Sequence, residues 1–278
     1  MKLGIGGLGI AVALVALACG IAATSAAAKL PSSHGHVVHI VKPGIGAKTN
    51  QSGNWFGYNR GTLEQGGTLF HSISGDWTVP SASQRTRGAD EYSSTWIGIG
   101  GGCIDASCTV GDNTLIQTGT EQDVDSSGHP SYSAWWEIIP APSISIDMTV
   151  GAGDHMHASV AETVANSNLW QITLQDVTRN ETFTTTVPYT STHATAEWIE
   201  ETPLVIGTGA GFAALPNLTN TPFDLGTVNG APVSLKTPEQ IELVDSNGKV
   251  IGAPSAPDSD LDGFAACAWA TSCPVPTS

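Results

Sequence analysis

Apolar and polar residues alternate with a period of two along most of this chain. Runs rich in Thr, Ser, Val, Ile and Trp at 69–79, 92–99, 114–120, 133–139, 145–150, 155–164, 169–177, 182–187, 193–200, 223–228 and 241–244 read as strands, separated by Gly, Pro, Asn and Asp. Asn166-Ser167-Asn168, Arg179-Asn180 and Ser246-Asn247-Gly248 fall between runs and predict hairpin turns. Outside the first thirty residues no segment keeps an i, i+3, i+4, i+7 apolar face. About a dozen strands without strand–helix alternation imply an all-β antiparallel sandwich in a single domain. The stretches 207–211 and 216–220 read as parts of one long loop over a sheet edge or cleft.

The two ends of the pattern differ from its middle. Residues 10–21 are a nearly unbroken apolar run behind Lys2, and Ala26-Ala27-Ala28 follows with small residues suited to signal-peptidase cleavage. A signal peptide over 1–28 and a secreted, extracellular protein are therefore expected. The rivals are a membrane anchor, which lacks a stop-transfer pattern, and lipid attachment at Cys19, where Ala16 replaces the usual Leu. Residues 29–52 are short of core formers and read as a flexible leader or short pro-segment. Its His34, His36 and His39 have no carboxylate or Cys to complete a metal site. The sandwich domain is expected over 53–278.

Composition narrows the partners. Charged residues make up 13% of the chain, roughly half the ~25% of an average globular protein. With 10 basic against 25 acidic residues the formal charge is -15, which argues against nucleic acid or an anionic membrane surface. Forty per cent hydrophobic residues and eight Trp supply a core. A monomer with no membrane attachment after signal cleavage is the expectation. Of five Cys, Cys19 leaves with the signal peptide. Four Cys permit three connectivities, and the close pairs Cys103–Cys108 and Cys267–Cys273 are the expected disulfides.

Familiar catalytic patterns are missing. The sequence contains no G-x-S-x-G, no H-E-x-x-H and no D-T/S-G, and Gly98–Gly102 is not followed by a helix start. His155 and His157 would share a strand face as a solvated pair with no third ligand. No metal and no cofactor are expected. What remains are carboxylates, amides and Trp on strand-like runs. Gln117, Gly119 and Glu121 alternate onto one face, and Glu197 sits inside an apolar stretch. Glu137 is flanked by bulky groups, and Trp96 shares its face with only Ser and Gly, an arrangement that makes room for a ligand. The residues alone leave three readings: a carboxylate hydrolase, a sandwich that binds carbohydrate through Trp96 and Trp135, and a glycosidase using Glu137 and Glu197.

Seven motifs in order then resemble one family, the glutamic peptidases or eqolisins, over about three-quarters of the chain. Asn54-Trp55-Phe56-Gly57-Tyr58 resembles its N-W-x-G-Y, Trp77-Thr78-Val79-Pro80 its W-x-V-P, and Trp96-Ile97-Gly98-Ile99 its W-V-G-I. Leu115-Ile116-Gln117-Thr118-Gly119 is similar to the L-Q-T-G strand of the catalytic Gln, and Ala196-Glu197-Trp198-Ile199 to the A-E-W-I strand of the catalytic Glu. Ala134–Pro140 resembles A-W-Y-E-W-Y-P, and Phe223, Gly226–Val228 and Asp262–Phe264 resemble the closing elements.

The resemblance implies two large curved antiparallel sheets of concanavalin-like form, whose concave face binds protein or peptide substrates. It implies Glu197 as general base, Gln117 as oxyanion donor, and Trp96, Glu121, Trp135 and Glu137 along the cleft. A Glu near its reference pKa of ~4.3 populates both forms around pH ~3–5, so activity in acid is expected. The sequence departs from the family at Gly100, Glu121, Ile138 and Ile139 and in a longer 101–112 segment, which bears on subsite preference.

Overall fold

A computed structural model describes residues 36–38, 51–61, 66–104, 110–206 and 210–277; the expected signal peptide and most of the expected leader lie outside these residues. Sixteen of the described strands join in one sheet. Fourteen of them form its continuous path: β1 (Trp55–Gly61), β2 (Ser72–Thr78), β3 (Ser94–Gly100), β4 (Leu115–Val124), β5 (Pro130–Ile138), β6 (Ile144–Ile146), β7 (His155–Glu162), β8 (Leu169–Asp176), β9 (Glu181–Pro188), β10 (Thr195–Glu201), β11 (Thr221–Val228), β12 (Gln240–Val244), β13 (Val250–Pro254) and β14 (Phe264–Ala268). Their spatial order is β9-β8-β7-β2-β11-β14-β13-β12-β1-β10-β3-β4-β5-β6. Among the described residues the helical content is one 3₁₀ turn, Thr237–Glu239.

The path folds back on itself through β14, β13 and β12, so its two halves stack as a sandwich, with β2 and β7 packed on β3 and β4. The core between them takes Phe56, Tyr58, Ile97, Ile99, Ile116 and Trp198 from one half, and Ile73, Trp77, Met156, Val160, Trp170 and Ile172 from the other. Each such side chain contributes roughly 1.5–3 kcal/mol when fully buried. Trp198 ties the halves directly. Its indole N–H donates to the Ser74 carbonyl at 3.0 Å, and the ring occupies the space over Gly75, where an added Cβ would lie 2.7 Å from Nε1.

Every run read as a strand overlaps one, the 145–150 run only at its first two residues, and the turns fall where expected. Asn166, Asn168 and Asn180 all take the left-handed conformation (φ 64°, 53° and 56°) that Asn tolerates. Three strands of the path had no alternation to reveal them. β1 is buried at all seven positions and includes two glycines. β13 (Val-Ile-Gly-Ala-Pro) and β14 (Phe-Ala-Ala-Cys-Ala) are likewise largely buried. A strand covered on both faces has no polar side to alternate with. The expected loop stretches also contain short pairings: Ala210–Phe212 with Leu204–Ile206, and Asn217–Leu218 with Ala82–Ser83.

The expected leader makes two pairings of its own. His36–Val38 is antiparallel to Leu204–Ile206, and Gln51–Ser52 runs parallel to β12. Cys267–Cys273 forms a disulfide. Cys103 is also disulfide-bonded, while its expected partner Cys108 lies outside the described residues.

Candidate active site

The five strands β1, β10, β3, β4 and β5 lie side by side, and their register sets the site. Asn59 is opposite Glu197, Glu197 opposite Gly98, Gly98 opposite Gln117, and Gln117 opposite Glu137. Residues directly opposite on neighbouring antiparallel strands share a face, so these five form one row across the sheet. Glu197 and Gln117 stand two strands apart, about 9–10 Å between Cα atoms from the usual strand spacing. Gly98 lies between them and contributes no side chain. A Cβ there would come within 3.0 Å of both Gln117 Cβ and Leu115 Cδ1.

The next row along the same face is Gly57, Ile199, Trp96, Gly119 and Trp135, and the one beyond is Trp55, Glu201, Ser94, Glu121 and Ser133. Trp55, Trp96, Leu115, Trp135, Ile199 and Ile241 make a second apolar cluster, separate from the core between the halves. Trp96 is wholly buried there, edge-on to Trp55 at 4.7 Å, and its indole N–H donates to Glu201 Oε2 at 2.7 Å. Trp135 is 2% exposed and donates to Ser94 Oγ at 3.1 Å. Along its own strand Trp96 shares this face with only Ser94, Gly98 and Gly100, as expected, but the room this was expected to leave for a ligand is taken. Ile199 and Trp55 come from strands distant in sequence and fill the space beside it. Glu121 lies two rows from Gln117, half-buried, and accepts from Ser133 Oγ at 3.0 Å.

Gln117 is held through its amide. Nε2 donates to Glu137 Oε2 at 2.7 Å, with both residues fully buried. Across Gly98 in the same row Glu197 is fully buried too, and neither of its oxygens has a hydrogen-bond partner among the described residues. Burial pushes its carboxyl well above the ordinary carboxylate range. The Asp112 charge adds to the rise, while the Thr195 hydroxyl and Gly102 N–H offset part of it from positions short of good hydrogen-bond geometry. The cover over Glu197 is the start of the 101–112 segment. Asn59 Nδ2 donates to the Cys103 carbonyl at 2.9 Å, Gly102 N donates to Thr195 Oγ1 at 3.2 Å, and a Cβ on Gly102 would sit 2.5 Å from Glu197 Oε1.

Glu200 lies on the opposite face, as strand alternation requires. It is buried between the halves, where it accepts from Thr95 Oγ1 at 2.7 Å and Thr221 Oγ1 at 3.0 Å. Burial raises it to about 8, with the two hydroxyls and neighbouring Glu201 as smaller influences. His155 and His157 share a solvated strand face as expected, 47% and 38% exposed, and both also bond Asp76 of β2, at 2.7 and 2.5 Å.

Residues 53–261 match the family model described as the Peptidase A4 family. The chain belongs to that family. It is thus a glutamic-type peptidase, and peptides or proteins are its substrates. The solved structures agree in fold. Scytalido-glutamic peptidase with a transition-state analogue inhibitor superposes with a TM-score of 0.60 at 19% identity, over 78% of this chain and 98% of that one. SCP-B, a member of the eqolisin family in complex with the tripeptide Ala-Ile-His, gives 0.56 at 17% identity over 78% and 98%. Aspergilloglutamic peptidase from Aspergillus niger gives 0.51 at 21% identity over 64% and 99%. No curated protein matches the chain by sequence.

Asn59, Gly102 and Asp112 escaped the sequence reading of this A4 peptidase. Asn59 follows Trp55 and Gly57 at the period of two, so a strand assigned to 55–61 would have placed it on the row. Gly102 and Asp112 come from a loop whose path over the sheet no periodicity encodes.

Proposed function

We propose that this peptidase is a secreted, acid-acting endopeptidase in which Glu197 is the general base and Gln117 the oxyanion donor. The observation that carries the proposal is the row Glu197–Gly98–Gln117, in which two polar groups flank a gap on one sheet face. Ionised Glu197 takes a proton from water as the water attacks the scissile carbonyl, then gives that proton to the leaving amine. The Gln117 amide carries two N–H groups. Glu137 accepts one of them, which fixes the amide's orientation, because the flipped amide would set its oxygen against a carboxylate. The other N–H is then directed to the developing oxyanion, where a preorganised donor contributes most. Trp96 and Trp135, buried one row away, support the site from beneath, and half-buried Glu121, two rows away, stands at its margin toward substrate.

Residues 1–28 act as the signal peptide in this proposal. Residues 29–52 form a pro-segment, and its pairings with Leu204–Ile206 and β12 are consistent with attachment to the domain before removal. The carbohydrate and glycosidase readings lose their support with the family assignment.

The test uses denatured protein as substrate at acid pH. Glu197→Gln should lower kcat by at least ~10²–10⁴ and Gln117→Ala by ~10²–10³. Glu200→Gln, on the other face, should keep activity. Full activity in folded Glu197→Gln would overturn the assignment.

A further inference from the structure

One cluster of side chains takes no part in the proposed reaction. His71 immediately precedes β2, Glu162 closes β7, and His193 sits in the turn leading into β10. His71 Nδ1 lies 2.7 Å from Glu162 Oε2, and His193 Nε2 lies 3.3 Å from the same oxygen. One ligand atom from each of the three lies within 4.8 Å of the other two. Metal–ligand bonds of about 2.0–2.2 Å in a tetrahedron set edges of about 3.3–3.6 Å, so small shifts bring the three onto one ion.

The surroundings hold these groups in place. His193 is 7% exposed, and its ring packs 5.2 Å from Trp170 and 4.8 Å from His71. Its backbone takes a left-handed conformation at φ 58°, which few non-glycine residues adopt without a compensating contact. Its buried Nε2 faces Glu162 Oε2 at 3.3 Å, short of well-aligned hydrogen-bond geometry, and meets no other partner among the described residues. A nitrogen buried in that state is costly unless something else satisfies it. Glu162 is aimed by its own hydrogen bonds. The Asn168 N–H occupies Oε1 at 2.8 Å and the Asn166 N–H takes one side of Oε2 at 2.7 Å, so the remaining lone pair of Oε2 is directed to the two rings.

We propose that His71, Glu162 and His193 form a binding site for a divalent transition-metal ion of the zinc class, with water in the fourth position. Two imidazoles and one carboxylate are donors that suit such an ion and disfavour calcium or magnesium, which prefer all-oxygen shells. The three ligands belong to separate segments, one of which feeds the strand of Glu197. The ion's role is therefore to fasten that end of the sandwich, and none of its ligands belongs to the row of Asn59, Glu197, Gly98, Gln117 and Glu137. The proposal stands independently of the peptidase mechanism.

The test takes the full chain, stripped with a chelator and returned to neutral pH, and titrates it with zinc chloride by calorimetry and by thermal unfolding. One ion per chain and a raised Tm are expected. Glu162→Gln and His71→Ala should each weaken zinc binding by more than the ~10–100-fold that a change behind the ligands produces. His157→Ala, at the separate group around Asp76, should leave it unchanged. Should Glu162→Gln not fold, His71→Ala alone decides, since that side chain is 25% exposed and its loss is tolerable. Absence of stoichiometric binding, or binding that survives in folded His71→Ala, overturns the site and leaves a metal-free cluster of hydrogen bonds.

Discussion

At the scale of single residues, the two side chains that flank Gly98 are tuned in opposite ways. Gln117 is fixed by a carboxylate that accepts from it, so Glu137 acts by positioning. Glu137→Gln lets the amide flip, and kcat should fall, though by less than the ~10²–10³ of losing the donor outright, with KM little changed. Steady-state kinetics on a peptide substrate checks the split. Glu197 is instead pushed up by burial and by Asp112. The proposed mechanism requires its ionised form for attack, so the acid limb of kcat/KM should lie above the ordinary carboxylate value of about 4.3. Asp112→Asn removes one of the two causes and should move that limb to lower pH. A limb that does not move would show that Asp112 has no such influence. Gln117 and Glu197 were legible in the sequence because each sits within a motif on a strand. Asp112 and Gly102 were not, because what they touch depends on how a loop crosses the sheet.

At the scale of elements, the gap in the row is a property of β3. Gly98 separates two side chains that a strand of larger residues would keep further from any shared reactant. Gly98→Ala puts a Cβ 3.0 Å from Gln117 Cβ and Leu115 Cδ1 and 3.1 Å from the Ile116 carbonyl. The expected outcome is overpacking of roughly 1–3 kcal/mol with displacement of Gln117, seen as a lowered denaturation midpoint and a larger loss of kcat than of stability. The strands themselves were readable wherever one face meets solvent. β9 alternates between exposed and half-buried at every position and was found, whereas β1, buried throughout, was not. The period of two marks a difference between faces, and β1 has none.

At the scale of the whole molecule, the buried carboxyl of Glu200 links stability to acidity. Below about pH 4.5 the folded and unfolded chains both carry its proton. Above that, the unfolded chain releases the proton while the folded one keeps it to about 8, so each pH unit in this window weakens folding by about 1.4 kcal/mol. Urea denaturation at several pH values should show a midpoint falling from acid toward neutral, and Glu200→Gln should flatten that slope. The overall sandwich was legible from patterning, but the closure of both halves into one sheet was not, since it runs through β12, β13 and β14, two of which carry no alternation. That closure also has a temporal side. β1 is laid down early, yet its two neighbours are β10 and β12, made about half the chain and most of the chain later. With the proposed pair, a ribosome-bound fragment that ends before β10 holds Gln117 without Glu197, so the emerging polypeptide would be unable to digest its surroundings, or itself, until β10 has been made.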